Sequence, residues 1–144
     1  MIVQTIGGTK RRIFVSFDFS RDRPFRDIFL NHGRKSDATW HVVHTSREFD
    51  PEDKMFVSTA TGHIKESEAV VVLLGPTTFG CPGVLKEVAI GIMLSKPIYQ
   101  IIPYGAGTPH TIPNAGRVVR WDWENVKRAI ATAPSRWGSR AVHV

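Results

Sequence analysis

Residues 69–75 read Ala-Val-Val-Val-Leu-Leu-Gly, an apolar run with no polar interruption that closes on a glycine. A strand with one wet face alternates apolar and polar residues. A run this uniform belongs to a strand covered on both faces, the central strand of a parallel sheet. Its valines and short length favour strand over helix.

Upstream, Arg12 to Phe17 (RIFVSF) reads as a first strand by its β-branched and aromatic content. Helix signals follow: Asp22 as N-cap, Pro24 in the first turn, Phe25, Ile28, Phe29 and His32 on one face, and Gly33 at the end. Thr39 to His44 (TWHVVH) is a second strand, followed by the polar loop TSREFDPEDK. Met55 to Glu66 is a weaker helix, with Phe56, Val57, Ala60 and Ile64 along one side and Gly62 weakening its second half.

Downstream, the spacing predicts a helix over Pro82 to Leu94, a fourth strand over Pro97 to Ile102 and a fifth over Arg117 to Trp121. A last helix starts at Asp122 as N-cap, with Trp121 and Val126 as a hydrophobic staple, and stops at Pro134. Residues 134–144, Trp137 among them, read as a loose tail.

Strands alternating with helices imply an α/β fold, a doubly wound parallel sheet of five strands in the flavodoxin-like order 2-1-3-4-5. The expectation is one domain over residues 1–144 with its core at about 10–133, a length sufficient for a hydrophobic interior. Such sheets bind ligands beyond the carboxyl ends of their strands, where the strand order reverses. Here that is between the first and third strands, so the chemistry is expected around Ser16-Phe17-Asp18-Phe19 and Gly75-Pro76-Thr77-Thr78-Phe79.

Nineteen Lys and Arg against thirteen Asp and Glu give a net charge of +6. The basic residues are scattered, at Lys10 to Arg12, Arg21 to Arg26 and Arg117 to Arg140, with no basic and aromatic stripe and no nucleic-acid motif. The charge therefore reads as solvated surface or as a site for a phosphate-bearing small molecule, and nucleic acid is not an expected partner. A lone cysteine leaves no internal disulfide, which fits a reducing compartment. The start, MIVQTIGGTKRR, lacks signal-peptide character, and the runs AVVVLL and VAIGIML are too short to span a bilayer. The expectation is a soluble cytoplasmic protein with no membrane association.

Familiar nucleotide motifs are missing. No G-x-G-x-x-G follows the first strand and no G-x-x-x-x-G-K-[ST] occurs. After the first strand, DFSRDRP lacks the small hydroxyl residues and glycine of a flavin mononucleotide loop. A phospho-receiver would need Asp where Gly75 stands, and Lys where Pro103-Tyr104 stand. His41 and His44, three apart on a strand, point to opposite faces, and no carboxylate or thiol clusters with the six histidines, so no metal is expected. Cys81, at a helix start that favours thiolate, reads as a small cap or packing residue.

Glu87 stands out. Its helical neighbours Gly83, Ile90, Gly91 and Leu94 include no cation, and Lys86 lies on a different face. Gly83 and Gly91, one turn to either side, are expected to leave open space beside it. Two readings remain: a partly exposed surface glutamate, or a carboxylate beside a cavity that stabilises positive charge developing in a ligand.

The stretches RRIFVSFDFSRDRPFRDIF and IKESEAVVVLLGPTTFGCPGVLKEVAIGIMLSKPIYQIIP, with the C-terminal RWDWENVKRAI, resemble the TIR-like family of bacterial proteins. The similar branch is the one that includes the TIR component of Thoeris anti-phage defence. The matching order is a strand ending Ser-Phe-Asp, K-x-S-E leading into the central strand, an LLG-x-x-T turn, a helix with an interior Glu and a KPI strand, over about residues 10–132. Where that family often carries a Trp before the Glu segment, this chain has Cys81-Pro82-Gly83.

The resemblance implies a flavodoxin-like fold and, as in many members, cleavage of NAD+ at the nicotinamide–ribose bond. It implies further processing of ADP-ribose into a nucleotide signal, such as a cyclic ADP-ribose, that activates a separate effector protein. NAD+ is then a substrate, and no cofactor is implied. The family's catalytic glutamate maps onto Glu87. Beside it, Ser16, Asp18 and Thr78 are candidates to hydrogen-bond ribose or phosphate, with Asp18 equally readable as a plain turn or cap residue. Phe17 or Phe19 is a candidate to stack on a ring, against core packing, of Phe17 above all. Phe79 is a further candidate binding residue, and Ser46 reads as a surface-loop residue or as one facing the crevice. Arg21 and Arg47 are candidates for the diphosphate, against a reading as solvated charge. Two alternatives stay open: a nucleoside deoxyribosyltransferase-like enzyme using the Glu as nucleophile, and a non-catalytic TIR-type adaptor that self-associates as a homo-oligomer.

Overall fold

A computed structural model describes residues 10–131. The helix stop at Pro134 and the tail with Trp137 lie outside the described residues. Five parallel strands form one sheet in the order β2-β1-β3-β4-β5. They are β1 (Arg11–Ser16), β2 (Trp40–Thr45), β3 (Ala69–Leu73), β4 (Ile98–Ile102) and β5 (Arg117–Arg120). The helices are α1 (Arg23–Gly33), α2 (Phe56–Lys65), α3 (Pro82–Met93) and α4 (Trp123–Ala131). This is the flavodoxin-like arrangement expected from residues 69–75.

β3 shows why its sequence is uniform. Ala69, Val71 and Leu73 face one core layer, with Phe29 of α1 and Val126, Ala129 and Ile130 of α4. Val70, Val72 and Leu74 face the other, with Ala60 and Ile64 of α2 and Val84, Val88 and Ile90 of α3. A strand whose two faces are both dry has no position left for a polar residue. Each such Val or Leu contributes about 1.5–3 kcal/mol of hydrophobic stabilisation.

Several expectations are corrected. Ile28 and Val57 were assigned to inner helix faces but are exposed, because Phe29 on α1 and Phe56, Ala60 and Ile64 on α2 fill the contact. Asp22 holds the N-cap position of α1 without capping by its side chain, which turns inward to Thr78. Gly62 does not break α2, since it meets open space. At α4, Asp122 does cap, its Oδ1 accepting the Asn125 amide at 3.0 Å.

No helix joins β4 to β5. Residues 103–116 are held instead by the buried Gln100, whose side-chain amide donates to the Ile112 carbonyl at 3.1 Å and accepts the Ile112 amide at 2.8 Å. Gln100 thus supplies the backbone partners that Ile112, outside any strand, does not get from the sheet. Gly116 ends the loop at φ +94°, and a Cβ there would run into the Ile98 carbonyl.

No helix of the described residues is long and apolar enough to cross a membrane.

Candidate active site

Glu87 lies on the inner face of α3 with Val84, Val88 and Gly91, and only 2% of it is exposed. The partly exposed reading is excluded. Two hydroxyls converge on one carboxylate oxygen. Ser16 Oγ donates to Glu87 Oε1 at 2.7 Å and Ser46 Oγ donates to the same atom at 2.6 Å.

Both serines are placed by the parallel ladder. Ser16 is the last residue of β1 and follows Phe14 on the face toward α3. Ser46 extends β2, donating its amide to the Val15 carbonyl at 2.9 Å and accepting the Phe17 amide on Oγ at 3.0 Å. The carboxyl ends of two adjacent strands therefore hold the carboxylate of a third element.

Among the described residues no cation pairs with Glu87, and burial pushes its pKa up to about 7 while Ser46 and Ser16 pull it down. Desolvation wins because two neutral donors replace only part of the hydration of a carboxylate. The group changes charge near neutrality, a property common at catalytic sites.

The surroundings of the two glycines differ from expectation. A Cβ on Gly83 would sit 3.0 Å from Phe49 Cβ, and one on Gly91 would sit 3.3 Å from both Ile98 and Val70. They admit close packing, not open space. The hollow lies to one side, a cleft of about 550 Å³ walled by Glu87, Asp18, Phe19, Arg47, Phe49 and Phe79 among others. It opens at the carboxyl ends of β1 and β2 and the start of α3, at the expected switch point.

The expected binding residues divide. Asp18, Phe19, Ser46 and Phe79 line the cleft. Asp18 is also a turn residue, accepting the Ser20 amide at 3.1 Å and the Thr77 hydroxyl at 3.0 Å. Phe17 borders the cleft but is 1% exposed and packs in the core, with Arg26 over its ring at 5.2 Å. It cannot offer a free face to a ligand ring. Ser16 lies beneath Glu87 and off the cleft wall. Thr78 is fully buried; its Oγ1 accepts the Gly75 amide at 2.7 Å and lies 3.2 Å from Asp22 Oδ2. It fastens the turn and does not reach the cleft. Gly75 is required there because the Asp22 carboxylate occupies the place of a Cβ.

Arg21 and Arg47 both border the cleft. Arg21 lies 3.9 Å from Asp18 Oδ2, and Arg47 lies 3.1 Å from Asp53 Oδ2. Both guanidiniums are exposed, although Asp18 is buried and Asp53 half-buried, so each can turn from its present partner to a ligand anion. Phe49 escaped notice in the sequence; its signal was a single aromatic within the polar loop TSREFDPEDK. Cys81 also borders the cleft, but burial raises its pKa despite the amides of Val84 and Gly83, so it is no ready thiolate. Among the described residues no three His, Cys, Asp or Glu side chains are grouped to hold a metal ion.

No protein-family model matches this chain, and neither does any curated protein. Among solved structures, a 3-dehydroquinate dehydratase-like protein from Bifidobacterium longum is similar, at 17% identity and a TM-score of 0.46 over 87% of this chain and 94% of that one. That likeness is too distant to bear on the chemistry of the cleft.

Proposed function

We propose that this chain is a TIR-like enzyme that cleaves the nicotinamide–ribose bond of NAD+, with Glu87 as the catalytic carboxylate. The observation that carries the reading is Glu87 itself: 2% exposed, unpaired with any described cation, held by Ser16 and Ser46 and bordering a nucleotide-sized cleft.

When the glycosidic bond breaks, the electron pair leaves with the nicotinamide nitrogen. Positive charge moves from the pyridinium ring onto the sugar, giving an oxocarbenium-like centre of the kind glycosidases meet with carboxylates. Ionised Glu87 favours that movement. A charge pair at 4 Å in such a setting interacts by roughly 4 kcal/mol. Because the ground-state substrate is already cationic, only the gain on moving the charge toward the sugar accelerates the reaction. The pKa of about 7 leaves a sizeable ionised fraction at neutral pH, and a cationic ligand increases it.

The other roles follow from the walls. Phe19 and Phe79 offer ring faces for a base. Arg21 and Arg47 meet the diphosphate by exchanging their present carboxylate partners. Ser16 and Ser46 orient Glu87. NAD+ is consumed as a substrate. By the resemblance, the product is a nucleotide signal in anti-phage defence, acting on a separate effector in the cytoplasm.

The test is incubation with NAD+ and, in parallel, with nucleosides, following released base by chromatography. Nicotinamide from NAD+ alone supports the proposal. Base from nucleosides alone replaces it with the deoxyribosyltransferase-like reading.

A further inference from the structure

Glu87 borders a second space. Next to it lies a cavity of about 10 Å³ whose polar lining is Thr45, Arg47, Thr59, His63 and Glu87, with Arg47 and Glu87 shared with the cleft. That is about the room one water needs, and Thr59, His63 and Glu87 offer it polar partners. His63, on α2, is only half-buried, and its ring stacks on His44 at 3.8 Å and 9°. His44 Nε2 lies in turn 2.7 Å from the exposed Glu66 Oε1. The small cavity therefore carries the buried Glu87 and the half-buried His63 on one lining, with the His63 face covered by His44 and its ring edge left free of it.

Hydrolysis of NAD+ gives the cavity a use. Nicotinamide leaves neutral with the bonding electron pair. Water adds its oxygen to the sugar carbon and gives up one proton, so each turnover yields ADP-ribose, nicotinamide and one proton. Glu87 borders both the cleft that would hold the product and the small cavity beside it. We propose that the proton leaves by this second hollow: from water to the Glu87 carboxylate, through one water in the small cavity to His63, and from the half-buried His63 ring to solvent. This inference rests on the proposed cleavage of NAD+ by Glu87, taken with water as the group that adds to the sugar carbon.

The other charged groups near the route do not provide an equivalent exit. Arg47, from the loop after β2, offers only N–H donors and no acceptor atom. Asp18 and Arg21 lie on the cleft side, Cys81 is held protonated by burial, and Lys86 is exposed beside Phe49. Burial first, then His44 and Arg47, lower the pKa of His63 against the pull of Glu66, so it holds an accepted proton loosely and passes it on.

The test uses the full chain. Glu87 is followed by carboxyl carbon-13 NMR in glutamate-labelled protein and assigned by its loss in Glu87→Gln. In wild type its titration curve carries a second inflection at the midpoint of His63, which His63→Gln abolishes. In turnover, His63→Gln lowers kcat at least about tenfold with KM unchanged. His63→Ala recovers when imidazole is added, which a purely structural role does not permit. Should His63→Gln fail to fold, Thr59→Val, which puts a methyl group into the cavity, is expected to slow turnover similarly with His63 intact. A Glu87 curve identical in wild type and His63→Gln, or an active wild type matched in rate by His63→Gln, overturns the route. The NMR arm needs no turnover, so a wild type inert toward NAD+ counts against the proposed activity and not against the route.

Discussion

Ser46 Oγ lies 2.6 Å from Glu87 Oε1 and on its other side accepts the Phe17 amide at 3.0 Å. A hydroxyl has one proton to give. With the amide taking a lone pair, that proton is directed at the carboxylate, and the end of β1 becomes coupled to the charge of α3.

Ser46→Ala removes a donor that lowers the Glu87 pKa and strands the Phe17 amide. The Glu87 midpoint rises above about 7, and stability falls by about 1–3 kcal/mol. Carbon-13 titration and urea unfolding check the two effects. An unmoved midpoint contradicts the assigned role.

Glu87 also sets a pH dependence of stability. Its folded pKa is raised from 4.5 to about 7, so between those values the folded chain keeps a proton that the unfolded chain has released. Stability from this group therefore falls as pH rises through that window, and is fully retained only below about 4.5. Glu87→Gln lacks the effect. Relative to wild type, the variant gains on the order of 3 kcal/mol between pH 4 and pH 8. Unfolding curves at the two pH values measure it, and a constant difference contradicts the buried-acid account.

Two glycines give opposite expectations. Gly75→Ala drives a methyl group into the Asp22 carboxylate and breaks its contact with Thr78, costing about 1–3 kcal/mol. Gly62→Ala, inside α2 with open space around it, stabilises by about 0.5–1 kcal/mol. Paired thermal melts test both signs at once.

Gln100→Leu keeps the buried volume but leaves the Ile112 amide and carbonyl without their side-chain partner. Limited proteolysis is then expected to cut within residues 103–116 sooner than in wild type, ahead of global unfolding. Equal cleavage rates would mean that Ile112 and Ala115, buried in the core, hold the loop without it.

The parts legible in the sequence were those that depend on local pattern. Residues 69–75 announced a strand dry on both faces, and the strand order then located the cleft. Glu87 was legible as an anomaly in an apolar helix. Its surroundings were not, because they come from distant residues: Ser16 and Ser46 arrive from neighbouring strands, and Phe49 fills the space that Gly83 was thought to leave. For Phe17 two readings stood, ring stacking and core packing, and the pattern already favoured the second. It continues the alternation of Ile13 and Val15, and all three lie in the same core layer. Thr78 likewise reads as an accessible turn hydroxyl until Asp22, from the far end of a different loop, is seen to close over it.

The most direct test of the central claim is nicotinamide release from NAD+ by wild type and by Glu87→Gln, with both proteins shown to be folded. The carboxylate account predicts release by wild type and loss of at least about 10² in rate in the variant, which keeps the shape and loses the charge. Equal release by the two proteins would contradict it.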